Sequence, residues 1–342
     1  LIFVRGLIAA GKRDDAARIL TQFAAFEHRG TLPNMIRGND AGNRDTSDAP
    51  LWFFTACADL IDAGPAADFL GTRVGGRPVK TILKDMARAM IAGTPNGIRV
   101  DPESGLLFSP AHFTWMDTNH PAGTPREGYP VEIQALWHAA LDFLGCIDPD
   151  AGKRDWAARA ALVKRSIADL YAGSAEIGLS DCLHGPAGTP ARRATPDDAL
   201  RPNQLFAVTL GAVPDPALQK RILTACSGLL VPGAIRSLAD RPMQHRLEIR
   251  RDGRLLVDPS HPYQGRYTGD EDTQRKPAYH NGTAWTWLFP AFCEAWAEVY
   301  GQKGRNTALA WLTSSAPLLR SGCIGHLPEI LDGDAPHNAR GC

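Results

Sequence analysis

The sequence predicts an all-α fold, a helical toroid in which helix pairs stack around an axis and the loops between pairs form one face. Three observations predict it. About ten segments carry apolar residues at helical spacing, few carry the alternation of a strand, and strands do not alternate with helices. The helices come in pairs joined by short turns, with long polar loops between successive pairs. No strict internal repeat is present, which disfavours a solenoid of identical units.

In chain order, residues 2–10 and 13–28 read as helices broken at Gly11. In the second, Ala16, Ile19, Leu20, Phe23 and Phe26 recur at helical spacing and form one apolar face. Gly30 stops it, and a loop leads into residues 39–54, N-D-A-G-N-R-D-T-S-D-A-P-L-W-F-F. There Asp40, Asn43, Arg44, Asp45 and Asp48 crowd in front of an apolar helix start. Asp48 is well placed as the N-cap of a helix over 49–63, with Pro50 in the first turn, and Gly64-Pro65 breaks it. A short segment at 66–73, a helix at 77–93 and a hairpin or extended loop over 98–108 follow. After a polar block at 112–132, helix 131–145 carries Val131, Leu136, Ala139, Ala140 and Phe143. Helix 151–172 carries Trp156, Ala160, Leu162, Val163, Ile167 and Leu170. Residues 184–200 form a polar loop, and 203–210 and 215–229 are two more helices. The segment 231–280 is mostly irregular, with short strands near 234–238 and 246–250. The last helices are 284–300 and 304–319, before a Gly-rich closing loop at 321–342.

The 342 residues are 44% hydrophobic and 22% charged, and we read them as a single domain over 1–342. Thirty-seven basic and 37 acidic residues cancel, so nothing electrostatic points to nucleic acid or an anionic membrane, and a neutral polymer suits such a surface. No apolar run reaches the ~18 residues of a membrane span. The seven cysteines are odd in number and scattered without a C-x-x-C pair, as expected of reduced, buried thiols in a cytoplasmic protein. The sequence opens at Leu1 without an initiator Met or signal peptide, and reads as a piece of a longer chain, truncated at both ends.

Five polar blocks lie ahead of helices or in the closing loop. The first holds Arg44, Asp45 and Asp48; the second, H-F-T-W-M-D-T-N followed by T-P-R-E-G-Y-P-V-E-I-Q-A-L-W, offers Trp115, Asp117, Arg126 and Glu132. The third, L-R-P-N-Q-L-F, gives Asn203, and the fourth includes A-Y-H-N-G-T-A-W-T-W with Tyr279, His280 and Trp285. The fifth, G-H-L-P-E-I-L-D-G-D, carries Glu329. Sugars present hydroxyls in a ring plane and weak apolar faces, so a sugar site needs planar polar groups and indole faces. Glycoside hydrolysis adds two carboxyl groups, one to protonate the leaving oxygen and one to activate water or attack the ring carbon.

Each residue also has a plainer explanation. Asp48 serves equally as a cap, Asp117 as a loop acid bonded to its own backbone, and Glu132 as a capping-box partner or a salt-bridge member with Arg126. Glu329, flanked by Pro328 and Ile330, is expected to be either desolvated with a raised pKa or paired. His280 serves as well as a satisfied loop histidine, and Phe23, Phe26, Trp137, Trp156 and Trp311 are expected in the core. The sequence has no P-loop, G-x-S-x-G or H-E-x-x-H motif. The acids at 270–272 lack EF-hand spacing, so neither a metal nor a cofactor is expected.

On these blocks, in this order and over nearly the whole chain, the sequence resembles the amylo-α-1,6-glucosidase part of glycogen debranching enzymes. The resemblance implies an (α/α)6 toroid of twelve helices, one or two of them outside this sequence. It implies inverting hydrolysis of the α-1,6-linked glucose at a branch point of glycogen or a similar branched α-glucan, with Asp48 as general acid and Glu329 as general base. Asp117 and Glu132 then bind sugar hydroxyls, Trp115, Arg126, Asn203, His280 and Trp285 line the subsites, and Arg44 and Asp45 support Asp48. Two other expectations stay open: a related (α/α)6 glycosidase for a small α-glucoside such as trehalose or glucosylglycerate, and a non-catalytic glycan-binding toroid.

Overall fold

The computed structural model describes residues 1–38, 40–64, 67–148, 153–321 and 324–341. Within them the chain is rich in helix and divides into two compact units. The first comprises Leu1–Trp115, Glu127–Ser166 and Gly185–Ala194; the second comprises Met116–Arg126, Ile167–His184 and Thr195–Cys342.

Unit one is built around α3 (Asp48–Asp62) and α6 (Val131–Ile147), which pack on each other. Both are apolar on nearly every side, as a helix surrounded by other elements must be. Leu51 to Cys57 are buried on α3, and Val131 to His138 on α6. Around them lie α1 (Ile2–Ala9), α2 (Arg13–Ala25), α4 (Ala67–Gly71) and α5 (Val79–Ala92). α2 buries Ala16, Leu20 and Ala24, four residues apart, while Ile19, Phe23 and Phe26 sit half-buried at the margin of that stripe. The expected hairpin forms between 99–100 and 107–108, and α7 (Lys153–Leu170) follows α6. The first two residues of the helix expected at 151–172 lie outside the described residues.

Unit two places α8 (Leu205–Thr209) and α9 (Pro216–Ser227) against α11 (Phe289–Thr313); α10 (Lys276–Tyr279) is a single turn. α11 joins two of the expected helices across a break at Gly301 (φ 61°, ψ −141°). Its start corrects the sequence reading, because 284–285 is a strand rather than the first turn of a helix. It belongs to an antiparallel sheet of five very short strands in the order 339–340, 330–331, 284–285, 234–236, 230–231. Val231, Ala234, Ala284 and Leu331 form its core. Strands of two or three residues are too short to show a period of two, so all but 234–236 escaped the sequence.

Of the cysteines, Cys57, Cys182, Cys226 and Cys293 are buried free thiols, whereas Cys146, near the end of α6, is exposed, contrary to expectation. Cys323 and Cys342 lie outside the described residues. Trp137 and Trp156 are in the core as expected, and Trp311 packs beside Phe292 and Trp296. Among the described residues no helix is long and apolar enough to cross a membrane.

Candidate active site

In unit one the opening loop is held at several points. The Arg44 guanidinium donates to the carbonyls of Phe26 and Thr31 and to the Thr31 hydroxyl, at 2.7–3.0 Å, which ties the loop to the end of α2. Asn96 donates to the Arg44 carbonyl, Asn34 N–H to the Asn43 carbonyl, and Ser47 N–H to the Phe113 carbonyl. The loop delivers Asp48 as the first residue of α3, with Ser47 in the cap position, so the expected N-cap is displaced by one residue. Thr46 joins the two functions: its hydroxyl donates to Asp48 Oδ1 at 2.6 Å and accepts from Ala49 N–H at 3.1 Å.

The half-buried Asp48 carboxyl opens on a cavity of about 220 Å³ lined by Leu1, Ile2, Phe3, Phe23, Asn34 and Trp52. Loss of hydration there raises its pKa. The Thr46 hydroxyl and the N–H groups of Asp48 and Ala49 act downward without cancelling the rise. The bond that steadies Asp48 therefore comes from Thr46, which the sequence reading passed over, while Arg44 is occupied with carbonyls. Asp45 is exposed, its N–H bonded to Asn43 Oδ1 at 3.0 Å. Trp115 is half-buried, and Glu132 is buried in the first turn of α6.

In unit two, Glu329 is placed by strand pairing. Trp285 is registered opposite Ile330, and Thr286 N–H donates to the Glu329 carbonyl at 3.4 Å. Contrary to the expectation of an apolar surrounding, the Glu329 side chain is exposed. Its charge reaches the Tyr279 hydroxyl. Burial first, and then the charge of Glu329 with that of Asp117, drives the Tyr279 pKa upward, so the phenol stays protonated. Asp117, itself exposed, is near enough for its charge to act on the same hydroxyl.

Behind Tyr279 stand two residues that the sequence offered as sugar contacts. Trp285 is only 5% exposed: its indole stacks on His280 (centroids 5.3 Å apart, 11° between planes), and its N–H donates to the Tyr279 carbonyl. His280 is buried, its Nδ1 lies 3.1 Å from the Thr118 hydroxyl, and its carbonyl accepts from Arg201. Both therefore form a wall behind the tyrosine rather than an open stacking face.

Arg126 and Asn203 converge on a residue the sequence did not single out, Asp181. Arg126 Nε donates to Asp181 Oδ2 at 2.7 Å and Asn203 Nδ2 to Oδ1 at 2.8 Å, while Arg201 Nε lies 3.6 Å from Oδ2. All four residues are buried. Asp181 N–H donates to Asp197, whose other oxygen meets His184 at 2.9 Å. Burial works to raise the Asp197 pKa, but His184 and Arg201 overcome it and hold the carboxyl low. The signal for Asp181 was available, an acid between Leu179 and the apolar pair Cys182-Leu183. The acids at 270–272 have local partners: Asp270 caps the turn at 271–275, and Asp272 pairs with Arg251 and Lys276.

Glycoside hydrolysis calls for one carboxyl that keeps its proton and one that is ionised, and burial favours the proton on Asp48. The family described as amylo-alpha-1,6-glucosidase matches residues 1–342, and the chain belongs to it. A comparison with curated proteins gives no match. Among solved structures the chain is similar to a GH63 mannosylglycerate hydrolase from Thermus thermophilus in complex with glucose. The TM-score is 0.58 at 13% identity over 99% of this chain and 87% of that one, a likeness of fold.

Proposed function

We propose that this glycoside hydrolase releases glucose from α-1,6 branch points of glycogen-type glucans by inversion, with the whole chain in one (α/α)6 catalytic domain. The observation that carries the reading is the contrast between the two carboxyls: burial raises the Asp48 pKa, whereas Glu329 is exposed to solvent. Membership of the family supports the substrate. Asp48, protonated, delivers its proton to the glycosidic oxygen as the bond from C1 breaks. Glu329 takes a proton from the water that attacks C1 from the opposite face, so β-glucose leaves from an α-linkage. Asp117 and Asp45, both exposed, accept from sugar hydroxyls, and Trp115 offers an indole face. Glu132, Arg44, Arg126, Asn203, His280 and Trp285 hold the walls. A glycogen-type substrate places the enzyme in the cytoplasm.

The test is glucose release from a branched limit dextrin by the wild type and by Asp48→Asn and Glu329→Gln, with the first-formed anomer followed by proton NMR. Each variant is expected to lose roughly 10²-fold or more in kcat, with β-glucose appearing first in the wild type. Undiminished turnover in either variant, or α-glucose appearing first, overturns the assignment. A second reading, hydrolysis of a small glycoside such as glucosylglycerate, draws support from the likeness to the mannosylglycerate hydrolase. The ratio of kcat/KM on limit dextrin to that on glucosylglycerate decides between them.

A further inference from the structure

We propose that Thr118 is a positioning residue for Asp117: its side chain, fastened to the buried His280, fixes the backbone that presents the exposed Asp117 carboxylate to a sugar hydroxyl. The inference rests on the reading of Asp117 as a sugar contact.

Asp117 is exposed, so where its carboxylate reaches depends on the backbone that carries it. Both of its neighbours in the chain are tethered. On one side Met116 is fully buried, and its sulfur accepts from Asn203 Nδ2 at 3.4 Å. The same amide donates to Asp181 Oδ1 at 2.8 Å, so its two N–H groups serve two partners. On the other side the Thr118 hydroxyl lies 3.1 Å from His280 Nδ1. Beyond Thr118 the chain closes on itself: Gly123 N–H donates to the Thr118 carbonyl at 3.2 Å, and Asn119 pairs with Ala122. Asn281 holds the end of this turn, its Nδ2 donating to the Gly123 carbonyl at 3.2 Å and to the Pro277 carbonyl at 2.9 Å.

The anchors are themselves fixed. His280 is buried, its ring lies against Trp285, and its carbonyl accepts from Arg201. Asn281 is buried too, and its Oδ1 accepts from the same guanidinium at 2.8 Å. One buried arginine thus locks the two residues that hold the two ends of the turn over 118–123. Thr118 is half-buried and stands where that network meets the exposed acid, which makes its hydroxyl the link nearest to Asp117.

The experiment uses the intact chain and limit dextrin. Thr118→Val keeps the shape of the side chain and removes the hydroxyl. A misplacement of ~1 Å can cost about 10²-fold, and kcat/KM is expected to fall about ten-fold. Thr118→Ser restores the hydroxyl and is expected to stay within about two-fold of the wild type. Thr118→Ala leaves room for a water at His280 Nδ1 and provides the same test where the valine variant folds poorly. In an Asp117→Ala background either loss is expected to shrink below about two-fold, because a residue acting through another contributes nothing once its target is gone. Wild-type kcat/KM in Thr118→Val or Thr118→Ala beside an impaired Asp117→Ala leaves Asp117 as a sugar contact and sinks the inference. An equal fold-loss in both backgrounds, or a Thr118→Ser variant as impaired as Thr118→Val, also sinks it. Wild-type activity of Asp117→Ala removes the underlying reading, and the inference with it.

Discussion

Burial of the Asp48 carboxyl sets its chemistry and also a cost to the fold. Above the ordinary carboxyl range the unfolded chain has released this proton while the folded chain tends to keep it. Folding therefore weakens as pH climbs from the unfolded value, about 3.8, through the raised folded value. Asp48→Asn removes a carboxylate that burial disfavours. Thermal melts between pH 4 and 8 should show the variant gaining on the wild type as pH rises, with the gain shrinking toward pH 4; a constant difference would disprove the linkage. At this scale it was a family resemblance that singled out Asp48 and Glu329. It was silent on the partners of those carboxyls. Thr46, which bonds Asp48, and Asp181, which gathers Arg126 and Asn203, are ordinary residue types whose places come from a loop's exact course or from neighbours distant in the chain, neither of which spacing encodes.

Helices were the most legible elements, because α2 and α5 bury residues at intervals of three and four that a single sequence displays. The strands at 284–285, 330–331 and 339–340 left no such trace, and the missed pairing carried Trp285 into a wall and Glu329 into solvent. The break in α11 was legible through its glycine. Gly301 adopts a positive φ that an L-residue with a Cβ resists, and no atom lies within 4 Å of where that Cβ would go. Ordinary helix propensity says that Gly301→Ala should stabilise by ~1 kcal/mol. The backbone says that it should destabilise by roughly 1–3 kcal/mol, and urea unfolding of the variant reads the sign directly. A gain in stability would mean that α11 straightens when glycine is removed.

For the molecule as a whole, 37 basic and 37 acidic residues leave no net charge to steer a charged ligand. With a neutral glucan as substrate, kcat/KM should change by less than about two-fold between roughly 50 and 500 mM salt. A steep fall would point to an anionic ligand instead. The strand pair that joins Trp285 to Ile330 has a further consequence for how this chain can vary. The chain between them leaves one strand through α11 and returns beside it. That detour is closed by backbone bonds at its neck, and its stretch around 314–320 is largely exposed. Lengthening a loop costs only ~0.6 kcal/mol per doubling. Residues can therefore be inserted near Ser314 and Ser315 while the neck stays shut, so this stretch is where the chain can drift in length with Trp285 and Ile330 still paired.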